Sequence, residues 1–117
     1  MIATTLVQGA VVALAGRLDV LGAMAAREAL HAAVDRGEGR LVVDMSEVEL
    51  LDATGLGVLV GTHRRARVAG RRLVLVNAAP RVARLLTLTR VDRVIQVVRL
   101  DQAVTIADED RFTTMAP

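Results

Sequence analysis

The sequence predicts an α/β domain with a mixed, mostly parallel sheet and the element order β-β-α-β-α-β-α-β-α. Three observations lead there. Leu41-Val42-Val43 and Leu73-Val74-Leu75-Val76 are short, unbroken apolar runs, as expected of strands buried on both faces of a parallel sheet. The segments between such runs carry apolar residues at helical spacing, for example Ala26, Leu30, Ala33 and Val34. The two kinds of segment alternate, which is the pattern of strands joined by helical crossovers. A chain of 117 residues has room for one core, so a single domain over 1–117 is expected.

The elements follow in order. Thr4 to Gln8 and Val11 to Ala15 read as two strands joined by a tight turn at Gly9-Ala10. Gly16-Arg17-Leu18-Asp19 closes the second strand. A helix is predicted from Leu21 to Arg36, ended by Gly37 and Gly39. Leu41 to Val43 is a buried strand, and Asp44 to Glu49 reads as a polar connection. Leu50-Leu51 returns to the core, and a helix starts at the Asp52-Ala53-Thr54-Gly55 corner, with Leu56, Leu59, Val60 and His63 on one face and Gly70 at its end. Leu73 to Val76 is the next strand. Pro80 suits the first turn of a helix lined by Val82, Leu85, Leu86 and Thr89. Val94 to Val98 is the last strand. Asp101 is placed as the cap of a short final helix to Ile106 or Ala107, and the polar tail 108–117 is expected to fray.

Composition excludes several kinds of chemistry. Apolar residues make up 53% of the chain, too many for a disordered protein, and Phe112 is the only aromatic. A surface without aromatics suits base stacking poorly, so no nucleic-acid partner is expected. Cys is absent, which removes disulfides, thiolate metal sites and Cys nucleophiles. All 15 basic residues are Arg, which removes P-loop and Schiff-base lysines. The sequence pI of about 10.9 overstates the basicity. Formal charge is only +2, and almost nothing titrates between neutral pH and Arg. No apolar run approaches the roughly 20 residues of a membrane span, so no membrane insertion is expected. Ala10 to Ala15 lacks the basic approach of a signal peptide and reads as a strand, which leaves the cytoplasm as the expected compartment.

The Asp52 corner concentrates the chemistry. A helix starting there exposes free backbone N–H groups that favour an anion. Thr54 is expected to be the N-cap, a role worth about 1 kcal/mol. Gly55 and Gly57 each cost up to about 1 kcal/mol in a first turn, which implies a close approach to the backbone there. The plainer reading is a tidy strand-to-helix corner. Gly55-Leu56-Gly57 with Gly61 has the wrong spacing for a dinucleotide fingerprint. His31 and His63 lack companions at metal-ligand spacing, and Thr54 has no base near it in the predicted layout. Asp44 and Asp52 fail as an aspartyl-phosphate site for want of Lys and as a glycosidase pair for want of a cleft. Arg64, Arg65, Arg67, Arg71 and Arg72 form a basic cluster, read first as a solvated helix face.

Gly16-Arg17-Leu18-Asp19 ending a strand, then Leu50-Leu51-Asp52-Ala53-Thr54-Gly55-Leu56-Gly57-Val58-Leu59, then Pro80-Arg81-Val82-Ala83-Arg84-Leu85-Leu86, resembles a STAS domain. The resemblance runs from about Leu6 to Ala107 and is greatest to the bacterial anti-sigma factor antagonists. It implies a protein that binds a serine-kinase anti-sigma factor, releases a sigma factor, and is itself no enzyme. It implies no cofactor and no metal, and a monomer or weak homodimer. In that family the kinase phosphorylates the residue after the motif Asp, and the complex falls apart. A phosphoryl group would add about −1.5 to −2 charge in the middle of the docking surface.

Here the acceptor position is Ala53, which cannot be phosphorylated. Two readings follow: the protein is held in its binding-competent form, or Thr54 is a substitute acceptor. The first is preferred because Thr54 is expected to cap the helix. The implied docking surface comprises Asp19, Val20 and Leu21 in one loop, with Asp52, Ala53, Thr54, Gly55, Leu56, Gly57, Leu59 and Val60 at the corner and the following helix. Gly22 stands where the family usually has a capping Thr. The runner-up is a STAS subunit of another assembly, such as a stress-signalling scaffold or a transporter accessory protein, and a third reading is a small phosphotransfer or nucleotide-handling enzyme.

Overall fold

The computed structural model describes residues 1–99. The elements run β1 (Ile2–Val7), β2 (Val11–Leu18), α1 (Ala23–Asp35), β3 (Arg40–Leu51), α2 (Ala53–Val68), β4 (Arg72–Val76), α3 (Pro80–Leu88), a single 3₁₀ turn (Val91–Arg93) and β5 (Gln96–Val98). The sheet has the order β1-β2-β3-β4-β5. β1 pairs with β2 antiparallel, and the other three pairings are parallel. The mixed, mostly parallel sheet expected from the sequence is therefore present. The expected final helix from Asp101 and the tail 108–117 lie outside the described residues.

Alternation along the strands divides the apolar side chains between two faces. Val12 and Leu14 of β2, Leu41, Val43 and Met45 of β3, and Leu73 and Leu75 of β4 form the main core with Leu30 of α1, Leu59 of α2 and Leu86 of α3. All three helices thus share one face. The other face carries a smaller cluster of Val74, Val76 and Val98, with Val42 against it.

β3 corrects the expected loop at Asp44 to Glu49. It is one strand of 12 residues. Two register shifts against β2, between Ala13 and Ala15 and between Gly16 and Arg17, interrupt its alternation. Bulges of this kind leave two neighbouring residues on the same side. Ser46 and Glu47 are accordingly both exposed, as are Glu49 and Leu50, while Met45, Val48 and Leu51 are buried. A period of three in burial is read from sequence as loop.

β3 also outruns its other neighbour. Pairing with β4 ends at Asp44–Val76, whereas pairing with β2 continues to Leu18–Leu51. The β2–β3 ribbon therefore projects past the end of the sheet and carries the Asp52 corner on its tip.

The opposite end of the sheet is tied by Arg71, which is only 5% exposed. This corrects its placement on a solvated face. Its guanidinium donates to the carbonyl oxygens of Ala33, Val34, Glu38, Gly39, Arg40 and Gly9. Ala33 and Val34 belong to the last turn of α1, where carbonyls lack helical partners and the helix dipole favours a cation. Burial lowers the Arg71 pKa from its ordinary value, and the Glu38 carboxylate opposes that. Arg65 stays on the exposed side of α2, as expected, and there forms a two-point ion pair with Asp35 of α1 at 3.1 and 2.7 Å. Both partners are about half exposed, so solvent screens the pair and it adds little to stability.

Candidate functional site

The corner is built where β2 and β3 end together. Leu18 pairs with Leu51, and the Asp52 N–H donates to the Leu18 carbonyl at 3.4 Å. The loop that follows β2 and the helix that follows β3 therefore leave from adjacent points. Asp19 and Asp52 are brought together as expected.

Asp52, and not Thr54, caps α2. Its extended backbone turns the chain, and its Oδ1 accepts from the Gly55 N–H at 2.9 Å. Ala53 and Thr54 are the first two helical residues, and both are exposed. The Thr54 hydroxyl makes no hydrogen bond among the described residues, so capping gives no reason to discount it as an acceptor. Replacing Asp52 by Ala is expected to cost about 1 kcal/mol of stability in chemical denaturation.

Gly55 is buried against β2. A Cβ placed on it would lie 2.1 Å from the Leu18 carbonyl oxygen and 2.8 Å from Leu51 Cδ1. The close approach expected from the glycines is thus made by the chain's own strand. Gly57 is different: a Cβ there meets nothing within 4 Å, and the same holds for Gly61. Ala53, Gly57 and Gly61 recur at i, i+4 and i+8, so they form one strip of small residues along the outer side of α2.

Leu59 is fully buried in the core, which removes it from the expected contact surface. Leu56 and Val60 are partly buried and pack on the core's edge, leaving part of each side chain open. The inward face of α2 is Gly55, Val58, Leu59, Thr62 and Ala66. Thr62 is accommodated there because its hydroxyl donates to the Val58 carbonyl at 2.8 Å.

Asp19 shapes the neighbouring loop. Its Oδ1 accepts from the N–H groups of Leu21 and Gly22 at 3.0 and 3.1 Å, and its Oδ2 meets Arg17 Nε at 3.3 Å. The Gly22 N–H, then the Leu21 N–H and Arg17, hold its carboxyl below the ordinary value of 3.8 against the opposing effect of desolvation. Gly22 itself gives α1 no side-chain cap. A folded-state pKa that is depressed stabilises above the unfolded value and is lost as pH falls through the folded one. The stability gap between wild type and Asp19→Asn should therefore be full at neutral pH and shrink below pH 3.8. Thermal melts across that range measure it.

The loop so formed pushes apolar side chains outward. Val20 is 67% exposed and Leu21 90%, and Met24 in the first turn of α1 is 73% exposed. Three large apolar side chains therefore stand in water near the start of α2. Met24 and Gly61 were not evident from sequence as members of this surface. The i, i+4 spacing of Gly57 with Gly61 on α2 is the signal that could have found the glycine, whereas Val20 precedes α1 and no helical spacing points to Met24.

Other candidates separate. Asp44 lies within β3, with its Oδ1 accepting from the Ser46 N–H at 2.9 Å, away from Asp52. Among the described residues no group of three or more His, Asp or Glu could hold a metal ion.

The exposed helix start, the capping Asp and the apolar loop thus lie together at the tip of a mixed sheet. The chain belongs to the STAS family: the family model described as "Mlab, STAS domain" matches residues 3–101. It is 37% identical over 76 residues to the anti-sigma-B factor antagonist of Bacillus subtilis, covering 65% of this chain and 69% of that one. The crystal structure of an anti-sigma factor antagonist from Mycobacterium paratuberculosis is 30% identical, covers 90% of each chain and superposes with a TM-score of 0.71. A structure from Thermotoga maritima, 25% identical, gives a TM-score of 0.72 over 86% of this chain and 89% of that one.

Proposed function

We propose that this STAS domain acts as a non-enzymatic anti-sigma factor antagonist in the cytoplasm. It docks on a serine-kinase anti-sigma factor through the Asp52 corner and the Asp19 loop. The observation that carries the reading is the exposure of Val20, Leu21 and Met24 on the element that leaves β2 beside the exposed Ala53–Thr54 helix start. Apolar anchors supply affinity at such a surface, and the fixed corner supplies geometry. The strip Ala53, Gly57 and Gly61 lets a partner backbone come close to α2. The relatives' function supports the same reading, and no helix among the described residues is long and apolar enough to cross a membrane.

Ala53 sets how the docking is controlled. In this reading the chain stays competent to bind in the presence of kinase and ATP, and its activity follows its abundance. Ala53→Ser restores a hydroxyl at the first helical position, where free N–H groups tolerate a phosphate in the unbound protein. The variant should gain one phosphate by intact mass when incubated with the partner kinase and ATP, and should then lose the complex. Persistent absence of phosphate on Ala53→Ser would count against a kinase partner. It would favour a STAS subunit of an assembly without a phosphorylation cycle, a reading that the alanine itself supports.

A further inference from the structure

The end of the sheet opposite the docking corner carries a second concave surface. Arg40, Arg72 and Gln96 begin β3, β4 and β5, and α2 reaches the same end with His63 and Arg67. With Arg71 these residues line an open cleft of about 850 Å³, within the size range of small-molecule sites. Four of the lining residues are arginines and one is histidine, and no described carboxylate lines it.

The arginines differ in what they have left to offer. Arg71 commits its donors to backbone carbonyls and contributes charge from below. Arg67 and Arg72 are exposed and make no hydrogen bond or ion pair among the described residues. A guanidinium fork matches the oxygen spacing of a phosphate, which makes two open forks on one cleft a selective arrangement.

His63 adds an independent observation. Its Nδ1 is buried and has no partner. A sealed acceptor is tolerated more readily than a sealed N–H, so the ring proton belongs on Nε2. Burial first, then Arg67 and Arg64, hold the imidazole below its ordinary value of 6.5. No Phe, Tyr or Trp lines the cleft, so its chemistry is dominated by the guanidinium groups.

We propose that this cleft binds a small phosphorylated anion, gripped by Arg67 and Arg72 with the His63 Nε2–H as a further donor. The ligand class is set by its phosphate groups. α2 starts at the docking corner with Ala53, and His63 and Arg67 lie further along it by a rise of about 15–21 Å, so the two sites can be filled together.

Inorganic pyrophosphate is the probe, titrated into the full chain at low salt and followed by calorimetry and amide NMR. Saturable one-to-one binding is expected, with shifts centred on His63, Arg67, Gly70 and Arg72 and an affinity that falls as salt is added. The double variant Arg67→Gln/Arg72→Gln should bind at least about tenfold more weakly. Arg81→Gln/Arg84→Gln removes the same charge from the exposed side of α3 and should bind like wild type. Absence of saturation by millimolar pyrophosphate, shifts scattered away from the cleft, or equal losses in the two double variants would overturn the proposal.

Discussion

Gly55→Ala should lower stability by about 2–3 kcal/mol, while Gly57→Ala, two residues on, should leave it unchanged or raise it by up to about 1 kcal/mol. Both changes gain the same helix propensity, up to about 1 kcal/mol. They differ only in what the new methyl meets. At Gly55 it would sit 2.1 Å from the Leu18 carbonyl oxygen, which is backbone and is fixed in the β2–β3 ladder. Relief requires α2 to lift away from the end of β2, and overpacking of this kind costs about 1–3 kcal/mol or more. Lifting the helix also breaks the join that places Asp19 beside Asp52, so partner binding should fall with stability. At Gly57 the methyl meets open space. Urea melts of the two variants measure the split, and equal effects would mean that Gly55 is not the contact between α2 and β2.

Arg71→Met should cost about 3 kcal/mol, seen as a Tm lower by roughly 10–20 °C. Methionine fills much of the volume but donates nothing. Six carbonyl oxygens from the β1–β2 turn, the end of α1 and the start of β3 would lose their shared donor. Removing a buried cation gives back part of its desolvation cost, and water reaches some of these oxygens, so the net is well below six separate bonds. Arg71→Lys keeps the charge but lacks the planar fork and should recover less than half of the loss. Full stability in the lysine variant would show that charge alone matters at this position.

The arrangement of strands and helices was legible because apolar runs and helical spacing alternate cleanly along the chain. β3 was not, because its two bulges give Met45, Val48 and Leu51 a burial period that matches neither a strand nor a helix. The face expected to group Leu56, Leu59, Val60 and His63 lies one position from the residues of α2 that face the core. Leu56, Leu59 and Val60 are all apolar, while two of the residues that face the core, Gly55 and Thr62, carry no hydrophobic signal. The corner itself was legible through the Asp52–Gly57 motif, but the division of labour within it was not. Both Asp52 and Thr54 are good caps, and only the backbone geometry selects Asp52. Arg71 was hidden completely. An arginine beside Gly70 and Arg72 reads as surface, and its partners lie more than 30 residues away in sequence.

If the corner docks on an anti-sigma factor, Ala53 leaves the complex without the usual switch. The direct measurement is the affinity of the wild-type chain for its serine-kinase anti-sigma factor, taken before and after incubation with ATP, with the intact mass of the chain read from the same sample. The predicted result is tight binding that Asp52→Lys and Leu21→Arg each abolish, with mass and affinity unchanged by ATP. A phosphate that appears on the wild type, weakens the complex and vanishes in Thr54→Val would contradict it.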